Sequence, residues 1–61
     1  MKIVFKRQRY KDGVLVGVVE RFNISLATLQ QCITSALEEG CEYVSCVREG
    51  DVCYSIWKKD T

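Results

Sequence analysis

The sequence predicts an α+β domain of order ββαββ: a mostly antiparallel four-stranded sheet with one helix packed on one face. Three observations predict it. Two runs rich in β-branched and aromatic residues flank Asp12-Gly13, a strong hairpin-turn signal. A stretch with apolar residues at three- and four-residue spacing lies between Ser25 and Gly40, and two further β-type runs flank Glu49-Gly50-Asp51. No linker, repeat or second domain interrupts this order, so residues 1–61 read as a single small α+β domain.

The first hairpin comprises residues 2–10 and 14–22, and its turn leaves two registers open. A two-residue Asp12-Gly13 loop places Ile3, Phe5, Val14, Val16, Val18 and Phe22 on one face, with Arg7, Arg9 and Lys11 along its outer part. A three-residue loop with Gly13 left-handed groups Ile3, Phe5, Leu15 and Val19 instead. Ile3 and Phe5 face the core in both, whereas a slip of one residue turns every side chain of the second strand to the other face.

Ser25 is a good N-cap, and Leu26, Leu29, Ile33, Ala36 and Leu37 then form one apolar stripe. Gly40 supplies a left-handed C-cap, so the helix runs from about residue 26 to 39. The second hairpin covers residues 41–48 and 52–59. With a three-residue loop, Val44, Cys46, Tyr54 and Ile56 share one face and Tyr43, Val47, Cys53 and Trp57 the other. Tyr54 with Ile56 is expected in the core.

Val14-Leu15-Val16-Gly17-Val18-Val19 has no polar side chain on either face, and one helix covers only one face of a sheet. The uncovered face is therefore expected to meet another molecule. A chain of 61 residues lies near the lower limit for a self-sufficient core. A homodimer is expected over a monomer, because joining uncovered faces would supply the missing burial.

Histidine is absent, which removes the commonest general base and the commonest nitrogen ligand for metal. No carboxylate, Ser, Tyr or Cys pair has a catalytic spacing, and no glycine-rich loop follows a strand. The expectation is a non-catalytic protein with no cofactor. Cys32, Cys41, Cys46 and Cys53 lack the paired spacing of a zinc site, since only Cys41 and Cys46 approach it, with four residues between them. They are expected as reduced structural thiols with no metal, and Cys46 with Cys53 is the pair expected if one disulfide forms.

Net charge is only +1, yet five of the nine basic residues lie in the first eleven positions, where no acid occurs. Lys6, Arg7, Arg9 and Lys11 surround Tyr10, the mixture that phosphate contact plus base stacking needs. Alternation sets Arg7 and Arg9 on one face and Lys6 and Tyr10 on the other. The first expectation for these bases is therefore a strand that uses Lys and Arg to blunt pairing with other chains, with contact to an acidic protein surface or to nucleic acid as the alternatives. Tyr43, Val47, Trp57 and Tyr10 are the candidate anchors of a protein interface, since large aromatics with a polar tip carry much interface energy.

The first residues hold too few apolar side chains for a signal-peptide core, and no run is long enough to span a membrane, so a cytoplasmic location is expected, in a bacterium or an infected cell. In size and layout the chain is similar to the small proteins with which phages inhibit host machinery, anti-CRISPR proteins among them. That likeness is one of format over the whole chain and assigns no residue a role. It fits a viral protein that binds a protein partner as an inhibitor or adaptor of a larger machine; the alternative is a nucleic-acid-binding module on the basic first strand.

Overall fold

Each expected segment forms the expected element in a computed structural model that describes residues 1–60. Strands β1 (Lys2–Lys11) and β2 (Val14–Arg21) are followed by helix α1 (Leu26–Glu38) and by strands β3 (Glu42–Glu49) and β4 (Val52–Asp60). They make one four-stranded sheet in the order β2-β1-β4-β3. Both hairpins are antiparallel, and β4 returns between β3 and β1 to run parallel to β1. The sheet is therefore mixed, with its parallel pair at the centre and β2 and β3 as its edges. Among the described residues no helix is long and apolar enough to cross a membrane.

The first turn is the two-residue loop. Asp12 and Gly13 both have positive φ, 52° and 79°, the conformation of the hairpin turn whose twist matches the strands. A bulge then changes the phase: Arg9 pairs with Gly17 and Tyr10 with Leu15, which leaves Val16 as the extra residue. Beyond it, Val19 and Arg21 stand opposite Arg7 and Phe5 and share their face. Neither expected face assignment of β2 survives whole, because the two-residue turn sets one phase and the bulge restores the other.

Ser25 caps α1 as expected, its Oγ accepting a hydrogen bond of 3.1 Å from the Thr28 backbone N–H. The other end closes in a Schellman motif at left-handed Gly40 (φ 82°). The Gly40 N–H donates to the Leu37 carbonyl at 3.1 Å, and the Cys41 N–H donates to the Ala36 carbonyl at 2.9 Å. This closure also folds Cys41 beneath the helix beside Ala36, so the cap and the core are one structure.

The core lies between α1 and the centre of the sheet. Phe5, Ala36, Cys41 and Trp57 are buried there, with Ile24, Leu29, Cys32 and Ile33 packed around them. The two ends of the expected stripe, Leu26 and Leu37, stay exposed because Cys32 takes part in the contact and turns the buried face toward Ala36 and Leu29.

The second hairpin corrects the expected loop. Glu49 pairs with Val52, so the turn is the two residues Gly50-Asp51, with Gly50 at φ 58°. Ser45 and Val47 consequently face Ile56 and Tyr54 on the side away from the helix. A second bulge at Val44 sets Tyr43 opposite Trp57 on the helix side. Trp57 is the core residue, only 7% exposed, and its indole N–H donates to Ser55 Oγ at 2.9 Å. Tyr54 and Ile56 lie on the uncovered face instead, where their in-register neighbours Val4 and Lys6 stand beside them.

Candidate functional site

The edge strand β2 carries the most conspicuous surface. Val14, Leu15, Val16, Val18 and Val19 are all exposed, as is Phe22 just beyond the strand; Val19 and Phe22 are 61% and 66% exposed. Such a line of large apolar side chains on an edge is uncommon, because an edge also presents unpaired backbone N–H and C=O groups to any passing strand. Edges are usually blunted by inward charge, proline or brevity. Here Val16 bulges, but the eight-residue strand holds only two charged residues, Glu20 and Arg21, both at its end.

Between β2 and α1 lies a groove of about 550 Å³, lined by Phe5, Arg7, Arg9, Val19 and Arg21 from the sheet and by Gln31, Cys32 and Ser35 from the helix. It exists because the helix sits over Phe5 and Trp57 at the middle of the sheet and leaves the helix side of β2 open. Arg7 reaches the end of the helix, where Nη1 donates to Glu39 Oε2 at 2.7 Å. That hydrogen bond, with the guanidinium charge behind it, holds the Glu39 carboxyl below the usual glutamate range. Arg21 Nη1 donates to Cys32 Sγ at 3.6 Å.

Arg9 lies across Gly17. A Cβ placed on that glycine would stand 3.7 Å from Arg9 Nη2 and 3.8 Å from Nε, ordinary van der Waals contact, so the guanidinium rests directly over β2 at this position. The alternation expected for the basic strand holds: Arg7 and Arg9 stand on the helix side with Trp57 and Lys59, while Lys6 and Tyr10 face away. Lys6 stands opposite Glu20 across the β1–β2 pair, with Nζ 3.9 Å from its carboxylate. Lys11 closes the strand at the turn, opposite Val14.

The four anchor residues expected from sequence do not form one surface. Trp57 is buried under the helix, and Tyr43 packs edge-on against it with ring centroids 5.6 Å apart and planes at 72°. Val47 lies on the opposite face with Tyr54. Tyr10 is half-buried on that same far face and donates from its hydroxyl to Gln8 Oε1 at 3.4 Å. The Val44 bulge separates Tyr43 from Val47, and core packing takes Trp57. Arg21 was absent from the expected site because only the Val16 bulge brings it round to Arg7 and Arg9.

Two further features belong to the chemistry of the molecule. Cys46 and Cys53, the pair expected from sequence, have their sulfurs 3.6 Å apart as free thiols on the helix side of the second hairpin. Their mutual hydrogen bond pushes the Cys46 thiol pKa up, aided by partial burial, so its thiolate is scarcer than an ordinary cysteine's at neutral pH. Among the described residues, no three His, Cys, Asp or Glu side chains converge to hold a metal ion.

Comparison with family models, with curated proteins and with solved structures gives no match for this chain.

Proposed function

We propose that this protein is a non-catalytic protein-binding module, an inhibitor or adaptor of a larger macromolecular machine, and that it takes its partner along β2. The observation that carries the proposal is the exposed apolar edge of β2 from Val14 to Val19, continued by Phe22. A partner strand added there would satisfy the open backbone and bury apolar surface in one step, the recognition mode known as β-augmentation. The test is capture of a protein from lysate by the wild-type chain and by Val16→Asp, which places a charge on the edge. Retention of the captured protein by a folded Val16→Asp variant would sink the proposal.

Homodimerisation forms the second part of the reading. Leu15, Val18 and Val47 are exposed on the face away from the helix, around the half-buried Tyr54 and Ile56. Two copies joined there would leave β2's outer edge for the partner. Sedimentation equilibrium should give a dimer mass that Val47→Glu lowers to a monomer; a monomer at high concentration for the wild type would refute this part.

Nucleic-acid binding ranks second. Lys6 and Arg7 already have acidic neighbours in Glu20 and Glu39, and Tyr10 stands on the face opposite Arg7 and Arg9. Phosphate contact and base stacking would therefore have to occur on two faces at once.

A further inference from the structure

The groove beside β2 gathers three guanidinium groups from two adjacent strands, and among the described residues only Arg7 has a carboxylate partner there. Arg21 has a thiol at 3.6 Å, a weak acceptor, and Arg9 makes no ion pair among the described residues. Like charges brought together without counter-charge are unfavourable in the free protein. They become favourable when an anion arrives.

The placement of the two unneutralised arginines is periodic along the edge. Gly17, Val19 and Arg21 share the groove side of β2, opposite Arg9, Arg7 and Phe5. Arg9, lying across Gly17, brings its charge over the strand at that position, and Arg21 supplies its own four residues on, roughly 13 Å along the edge. Val19 stands midway and is exposed. At two-residue steps the groove side thus presents charge, apolar surface, charge.

We propose that this arrangement selects an extended acidic segment as the partner strand: carboxylates at positions four apart meet Arg9 and Arg21, and an apolar residue midway rests on Val19. The inference rests on docking along β2. The acid-x-apolar-x-acid pattern reads the same in both directions, so it holds for parallel and antiparallel addition alike. Arginine suits the task because its planar fork takes a carboxylate through two parallel hydrogen bonds. Gln31 on the facing wall of the groove offers an uncharged donor to the same side chains, while Ser35 there already donates to Glu39 Oε2 at 3.4 Å.

A second copy of the chain lacks this segment. Its only acids four apart are Glu38 and Glu42, one at the end of α1 and the other in β3, with the Gly40 turn between them. Antiparallel pairing of β2 with β2 would instead bring two sets of arginines onto one sheet face. The edge therefore fits a different, acidic protein.

The test is a titration of the isotope-labelled protein, followed by backbone amide shifts, with three short synthetic peptides of strand-forming sequence. One carries Glu, Val and Glu at alternate positions; one replaces both Glu by Gln; one has the two Glu moved to opposite faces. The first should shift the β2 amides and bind more tightly than the other two. Arg9→Gln and Arg21→Gln should each weaken it about tenfold while leaving the Gln peptide unaffected. Equal binding of the Glu and Gln peptides would overturn the acidic selection and leave docking along β2 standing. Absence of β2 shifts with every peptide would overturn both. Displacement of the Glu peptide by a single-stranded oligonucleotide at lower concentration would assign the groove to phosphate and overturn the inference as well.

Discussion

Replacing Trp57 by alanine separates a core role from an interface role. The indole is 7% exposed, packs beneath α1 with Phe5, Ala36 and Cys41, carries Tyr43 on its edge at 5.6 Å and donates a 2.9 Å hydrogen bond to Ser55. Truncating a buried Trp to Ala costs about 3–5 kcal/mol, because the transfer free energy is lost and a cavity remains. A 61-residue domain at the usual stability per residue has roughly 3–9 kcal/mol in total. Trp57→Ala should therefore remove most of the stability and leave a measurable unfolded fraction in buffer. Trp57→Phe keeps most of the ring and loses the Ser55 bond, which contributes about 1 kcal/mol, together with part of the contact area, so it should fall between the two. The assay is urea unfolding followed by far-UV circular dichroism, which does not depend on the indole signal. A Trp57→Ala unfolding free energy within about 1 kcal/mol of wild type, at unchanged slope, would refute the core placement and return Trp57 to the surface.

Other consequences follow from the same geometry. Mild oxidation with diamide, whose azo bond takes up the two thiol hydrogens, should join Cys46 to Cys53 and lower the intact mass by two hydrogens, stabilising the protein by about 2 kcal/mol through the short loop closed; a peptide map showing any other pair as the main product would contradict the observed thiol contact. Because Arg7 lowers the Glu39 pKa in the folded state, the stability from this bond is present above the ordinary glutamate pKa and is lost as pH falls through the lowered value. The melting temperature of Glu39→Gln should accordingly approach that of wild type in acid and lie below it at neutral pH; parallel curves across the range would remove Glu39 from the account. Gly40→Ala forces a non-glycine residue into φ 82° at the Schellman closure, and chemical denaturation should show a loss of about 1 kcal/mol or more. An unchanged midpoint would mean that the closure contributes nothing.

Much of this fold was legible because its boundaries rest on local chemistry. Asp12-Gly13 can take the two positive φ values of a tight hairpin, Ser25 can accept the Thr28 N–H, and Gly40 can go left-handed, each without knowledge of the rest of the chain. The alternation of Arg7 and Arg9 against Lys6 and Tyr10 also needed only the period of a strand. The face of each strand beyond a bulge was not legible. Val16 and Val44 look like any other valine in sequence, yet each shifts the alternation by one. The second hairpin shows the effect twice: a turn one residue shorter than expected moves Val47 to the far face, and the Val44 bulge then returns Tyr43 to Trp57.

The site suffered from the same limit. That β2 is apolar on both sides could be read directly from Val14 to Val19, and the inference of an uncovered surface came from counting one helix against two faces. The groove could not be read. It needs β2 to end up at the sheet edge, the helix to sit over Phe5 and Trp57, Gly17 to lie under Arg9, and the Val16 bulge to turn Arg21 toward Arg7. The pairing of β1 with β4, distant in sequence and parallel, decides the first of these, and strand order leaves no mark on the residues themselves.

Docking along β2 is tested most directly by photo-crosslinking in lysate from a photoreactive residue at Val16, on the edge, and from one at Thr34, on the exposed side of α1. Crosslinks to a protein from position 16, absent from position 34 and mapping to a segment with acids four apart, are the result predicted. Crosslinks from position 34 alone, or equally from both positions, would contradict a binding surface on β2.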